Sequence, residues 1–105
     1  MTTAGGGSSS TTREPVLSHN RAESRYEARV GDILAGFADY AEAPGVLLFT
    51  HTEVDPDFRG RGIGSALARF GLDDARAQGV AVVALCSFMA GYIERHPHYA
   101  DLLEV

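Results

Sequence analysis

"DFRGRGIGSAL", residues 57–67, sets glycines at 60, 62 and 64, every second position, with Arg59 and Arg61 on either side of the first. A helical pattern follows: Ile63, Ala66, Leu67, Phe70 and Ala75 share one face, with Arg69, Asp73 and Arg76 opposite. The spacing predicts a helix from about Gly62 to Gln78, closed by Gly79. A helix start leaves backbone N–H groups without partners and carries about half a positive charge. Glycines let an anion approach those donors, and the two arginines add long-range attraction. The pattern is not GxGxxG, no ribose-binding acid accompanies it, and no Gly-Lys-Ser/Thr makes it a P-loop. Taken alone, the loop leaves anion binding and a plain helix start equally open.

Working towards the N-terminus, "VLLFTHTEV" (46–54) reads as a strand, apolar on both faces at first and polar in its second half. Pro44–Gly45 is a turn, preceded by a strand "ILAGFADYA" (33–41) and a Gly31–Asp32 hairpin turn. In "SRYEARVGD", Tyr26, Ala28 and Val30 alternate with Arg25, Glu27 and Arg29, which predicts a strand with one charged, solvated face. Residues 1–15 are rich in Gly, Ser and Thr and read as a disordered tail, leaving 16–105 as one folded domain. Towards the C-terminus, "VAVVALC" (80–86) is a buried strand, and a second helix runs from about Ser87 to Arg95, stopping before Pro97. The fold class is therefore α+β, in the order β-β-β-α-β-α: a mostly antiparallel sheet with one parallel pair formed by a helical crossover.

A chain of 105 residues is one small domain, burying only about 60–65% of its unfolded surface. Net charge is −5, and all nine basic residues are arginine. That balance argues against nucleic-acid binding and mildly favours cationic partners. No apolar run approaches the roughly 20 residues of a membrane span, Met1–Thr2–Thr3 begins no signal peptide, and Thr2 excludes N-myristoylation. A single cysteine forms no internal disulfide. The expectation is a soluble, cytoplasmic protein without a membrane partner.

The stretch "RGRGIG" fits the Arg/Gln-x-x-Gly-x-Gly motif of the GCN5-related N-acetyltransferases, on a strand–loop–helix of the right kind. More specifically, "HTEVDPDFRGRGIGSAL", "VVALC" and "YIERHPHYADLL" resemble a subfamily of short N-acetyltransferase-like proteins with a His-Thr-Glu-Val strand and a single cysteine. The resemblance spans roughly residues 24–103. It implies a reduced form of that fold, with coenzyme A or acetyl-CoA as cofactor and an amine, small-molecule or peptide, as acceptor. The pyrophosphate would sit on the amides of Arg59, Gly60, Arg61, Gly62, Ile63, Gly64 and Ser65. The pantetheine arm would lie along Thr52–Val54, where that strand diverges from Val80–Cys86. Helices that usually stand between the family's first two strands are missing, with only Gly31–Asp32 in their place. An open acceptor side suits a peptide amine, a partner subunit, or a non-catalytic acyl-CoA-binding module.

Four side chains near the gap carry candidate chemistry. His51 and Glu53, two apart on a strand, share a face, with Thr50, Thr52 and Val54 on the other. Either could take the proton from an attacking amine; a solvated His–Glu pair without a role is the alternative. Cys86 ends a buried strand before a helix, where a thiol's pKa falls. The broader family commonly has a pantetheine-contacting asparagine there, so Cys86 either positions the cofactor or accepts the acetyl group. Tyr92 falls near the family's tyrosine that protonates the departing thiolate, one residue out of register. His96–Pro97–His98 reads as a helix stop rather than a metal site, and the resemblance sets His96 near the cofactor. Neither the acceptor nor the choice between monomer and homodimer follows from spacing.

Overall fold

A computed structural model describes residues 14–104. Five strands form one sheet in sequence order: β1 (Val16–Asn20), β2 (Arg25–Val30), β3 (Ile33–Ala43), β4 (Val46–Val54) and β5 (Ala81–Ala84). The first four are antiparallel neighbours; β5 lies parallel to β4. Helix α1 (Ile63–Gln78) makes the crossover between them, and α2 (Ser87–Arg95) follows β5. Short 3₁₀ turns occupy Pro56–Phe58 and Pro97–Leu102. The fold is the expected α+β class, with one more strand than the β-β-β-α-β-α order. Most of the expected tail, residues 1–13, lies outside the described residues; Glu14 is exposed and Pro15 half-buried.

The missed strand is β1. "VLSHN" is too short and polar to stand out, and two of its residues find partners only in the folded chain. Leu17 packs against the core, and the His19 ring stacks on Tyr26 at 4.2 Å between centroids. The missing helices are thus absent from two connections: Arg21–Ser24 joins β1 to β2, and Gly31–Asp32 joins β2 to β3.

Helices α1 and α2 lie side by side on one face of the sheet. Tyr26, Ala28, Phe49 and Val82 meet Leu67, Leu72 and Ala75 of α1 with no exposed surface. Each large side chain buried this way contributes about 1.5–3 kcal/mol. Two glycines bring α1 close: a Cβ at Gly36 would stand 2.9 Å from Ile63 Cγ2, and one at Gly71 would stand 3.1 Å from the Phe49 ring. Tyr99 in the C-terminal turn ties this layer together by donating its hydroxyl to Asp73 of α1 at 2.7 Å. Among the described residues no helix covers the opposite face.

That opposite face is not the solvated row of charges expected on β2. Glu27 is only 4% exposed, enclosed by Asn20, Arg25 and Arg29. Burial alone would raise its pKa, but hydrogen bonds from the two arginines and Asn20 outweigh it and hold the carboxyl below its ordinary value.

Candidate functional site

The site is the place where β4 leaves β5. The parallel register runs from Val46↔Ala81 to Phe49↔Ala84 and stops there. Both Leu85 N and Cys86 N then donate to the same acceptor, Phe49 O, at 3.0 Å. On its other side β4 has an irregularity: Asp39 pairs with His51 but Tyr40 pairs with Phe49, so Thr50 is an extra, bulged residue. A bulge sharpens the local twist and swings the strand aside. The second half of β4, still paired with β3, therefore has an open edge where β5 would have continued. In an antiparallel pair every second amide and carbonyl turns away from the partner strand, so that edge presents unused groups.

The bulge also corrects the expected alternation. Thr50 does not share a face with Thr52 and Val54; its hydroxyl donates back to Asp39 O at 3.3 Å. Thr52 and Val54 continue the helix-side face of Leu47 and Phe49, and Val54 packs against the core. His51 and Glu53 do share a face, the open one. Their side chains are 58% and 62% exposed and meet through His51 Nε2 and Glu53 Oε1 at 3.1 Å. The parting thus has a helix side carrying Thr52, Val54 and Cys86 and an open side carrying the His–Glu pair.

The loop after β4 is anchored before it reaches the glycines. Asp55 N donates to Ala35 O, and Asp55 receives Phe58 N on its carbonyl and Asp57 N on its carboxylate, each at 2.8 Å. Phe58 is buried, and the Arg61 guanidinium lies over its ring at 5.0 Å. The three glycines then do different work. Gly60 and Gly62 have φ of +79° and +76°, and a Cβ on either would meet nothing within 4 Å. Left-handed backbone explains their identity, and the space beside them is open. At Gly64 a Cβ would stand 2.7 Å from Phe88 Cζ, so this glycine serves contact between α1 and α2 instead.

No side chain caps α1, and its first helical bond runs from Ala66 N to Gly62 O. The amides of residues 63–65 therefore have no intrahelical acceptor. They open on a cleft of about 240 Å³ lined by Val54, Phe58, Arg59, Gly60, Gly62, Ile63, Gly64, Ser65 and Phe88. A larger groove of about 600 Å³ lies between α2 and the C-terminal turn, but its lining includes Glu94 and no cation. Of these two, the smaller cleft has the donors and the arginine that a phosphate needs.

Across the parting, Cys86 is 9% exposed and its thiol donates to Thr52 Oγ1 at 3.4 Å. Cys86 is also the N-cap residue of α2. Nearly two turns along α2, Tyr92 is 4% exposed, and the His96 ring stacks on it at 4.0 Å between centroids while His96 Nδ1 donates to Tyr92 O at 2.9 Å. His96 caps the end of α2 and Pro97 opens the next turn, as a helix stop requires.

The four tyrosines differ in one respect. Tyr26 donates to Asp74 at 2.8 Å and Tyr99 to Asp73 at 2.7 Å, and the Tyr40 hydroxyl shares a hydrogen bond of 2.6 Å with His19 Nε2. Tyr92 has no hydroxyl partner among the described residues, and no buried side-chain oxygen there is left unsatisfied. Periodicity could not separate Tyr92 from the structural three; only its packing does.

A family model described as GCN5-related N-acetyl-transferase matches residues 25–102, spanning β2, the glycine loop, both helices and Tyr92. The chain belongs to the GCN5-related N-acetyltransferase family. Its fold is that of a Staphylococcus aureus GCN5-like protein assigned to the N-acetyltransferases and solved in solution. That match has a TM-score of 0.67 at 20% identity and covers 85% of this chain and 87% of the other. The crystal structure of the Escherichia coli ribosomal-protein-S18-alanine N-acetyltransferase matches with a TM-score of 0.53 at 25% identity. It covers 55% of this chain, which spans only 38% of that enzyme. No curated protein matches the sequence. Family and fold together make the chain an acetyltransferase, with no helix among the described residues on the open face of its sheet.

Proposed function

We propose that this acetyltransferase takes its acyl group from acetyl-CoA and delivers it to an amine, small-molecule or peptidic, with both substrates bound together. One observation carries the reading: the cleft at the uncapped start of α1 is lined also by Val54, at the end of the parted half of β4. The residues present fit coenzyme A. The free amides at 63–65, the open space beside Gly60 and Gly62, and Arg59 in the cleft suit a pyrophosphate. Each such contact contributes roughly 0.3–1 kcal/mol, and several act together. The open edge of β4 at Thr52–Val54 suits the amide-bearing pantetheine arm. When bound, acetyl-CoA supplies an acyl group activated as a thioester.

The chain's own groups then have distinct tasks. The His51–Glu53 pair, on the open face, takes the proton from the incoming amine. A backbone N–H on the open edge of β4, at Thr52 or its neighbour, donates to the oxygen that gains charge. The Tyr92 hydroxyl, which has no partner among the described residues, gives a proton to the departing sulfur. Cys86, held against Thr52, shapes the channel between these groups.

Two assays test the reading. Calorimetry with coenzyme A is expected to show binding, and acetyl-CoA with a panel of amines is expected to show turnover with intersecting double-reciprocal lines. Parallel lines with an acetyl group trapped on Cys86 would replace the ternary complex by a two-step covalent route. No binding at millimolar coenzyme A would overturn the proposal. The donor and the lone cysteine suit a cytoplasmic location, which fractionation of the producing cells checks.

A further inference from the structure

The open face of the sheet carries a charge pattern that acetyl transfer by itself does not require. Glu27 lies in one lateral row with Phe37 and Glu53, and Arg25 in the next with Asp39 and His51. The buried Glu27 carboxylate receives Arg25 Nε at 2.7 Å, Asn20 Nδ2 at 3.0 Å and Arg29 Nη2 at 3.3 Å. Two guanidinium groups share one carboxylate, so the Glu27 cluster by itself carries a positive charge, with Asp39 opposite Arg25 one strand away. Arg25 is held on both sides: Nε is fixed to Glu27, and the guanidinium lies over the Phe37 ring at 4.8 Å. Among the described residues neither of its terminal nitrogens makes a hydrogen bond, so a forked pair of donors stands ready for a carboxylate.

The other end of the face is negative. His51 is flanked by its strand partner Asp39 and by Glu53, which attract an ammonium group. Between the two ends lies Phe37, with the His51 ring 6.1 Å from its own. Strands β2 and β4 are two spacings apart, roughly 10 Å.

We propose that this face reads the acceptor, and that the acceptor is the N-terminal segment of a peptide with an acidic side chain two residues after its terminal amine. The amine sits at His51 and Glu53, the backbone crosses β3 at Phe37, and the carboxylate meets Arg25. In an extended peptide a glutamate at the third residue sets its carboxylate about 10 Å from the first nitrogen, matching the spacing of the two ends. The inference rests on the transfer reaction proposed above.

The test compares three amidated tripeptides as acceptors: alanyl-alanyl-glutamate, its glutamine analogue and its lysine analogue. The glutamate peptide is expected to exceed the glutamine peptide about tenfold in kcat/KM, as one desolvated charge-assisted contact allows, with lysine lowest. Arg25→Gln is expected to bring the glutamate-to-glutamine ratio to about one, and raised salt is expected to lower it in the unaltered protein. Because Arg25→Gln weakens the enclosure of Glu27, the ratio in the unaltered protein is decisive if that variant fails to fold. Equal rates for the three peptides, or a preference for lysine, overturn the inference. Transfer to small amines but to none of the peptides also overturns it while leaving the acetyltransferase reading intact. Absence of coenzyme A binding and of all transfer removes both.

Discussion

The two ends of α1 are built in opposite ways. At the C-terminal end Gly79 has φ +72°, and its N–H reaches back to Ala75 O and Arg76 O. Val80 N adds a bond to Ala75 O at 3.1 Å, and Arg76 in the last turn bonds both oxygens of Asp101 and His98 O. At the N-terminal end Gly62 has almost the same dihedral, φ +76°, but no side chain caps the helix and the amides of 63–65 face a cleft. One glycine completes a closed structural end; its counterpart leaves donors free. The tyrosines repeat the contrast, with three hydroxyls bonded within the protein and Tyr92's without a partner among the described residues. Groups without partners at these places are the ones proposed above to meet the substrate.

The largest expected effect comes from the Tyr92 hydroxyl. Tyr92→Phe is expected to lower kcat about 100-fold, the scale of a lost general acid, with little change in thermal stability. Tyr99→Phe is expected to do the reverse, costing roughly 1 kcal/mol of stability with kcat retained, because it removes the bond to Asp73. Steady-state kinetics beside thermal melts would break the contrast if both variants behaved alike.

Next in size is Gly64→Ala. Its Cβ would stand 2.7 Å from Phe88 Cζ, so the expected loss is about 1–3 kcal/mol of stability, measured by chemical denaturation. A variant as stable as the parent would show that Phe88 yields freely and that Gly64 serves something other than helix contact.

The smallest effect sharpens the contrast from the closed side of the molecule. His19, between Tyr40 and Asp74, has its pKa lowered below 6.5, first by burial and against the pull of Asp74. The unfolded chain then binds more protons than the folded one just below pH 6.5, so stability falls as pH drops through that window. His19→Gln is expected to flatten this slope without altering coenzyme A binding. A slope that persists in the variant would place its origin elsewhere.

Much of the fold could be read from the sequence wherever the signal is local. Strand β4, the Gly31–Asp32 and Pro44–Gly45 turns, the Gly79 cap and both ends of α2 follow from alternation, turn residues and Pro97. What stayed hidden depends on distant partners. Strand β1 exists because Leu17 and His19 find the core and Tyr26, and Glu27 is buried because Asn20, Arg25 and Arg29 converge on it. The Thr50 bulge, which parts β4 from β5, leaves no mark in a stretch as ordinary as "FTHTEV". The candidate site was legible as a set of residues but not as an arrangement: His51 and Glu53 on the open face, Thr52 and Cys86 on the helix side, and Gly64 given to Phe88.

Gly62 and Gly79 offer a matched pair for the central claim, that the free amides at the start of α1 hold the pyrophosphate of coenzyme A. Alanine at either position meets no neighbour and bears the same left-handed strain, about 1–2 kcal/mol. Calorimetric titration of coenzyme A into both variants, each confirmed folded by its melt, is the direct measurement. Gly62→Ala is predicted to weaken binding about tenfold or more while Gly79→Ala binds like the parent, since only the first sets a methyl group beside the ligand's phosphates. Equal affinity in the two variants would contradict the account.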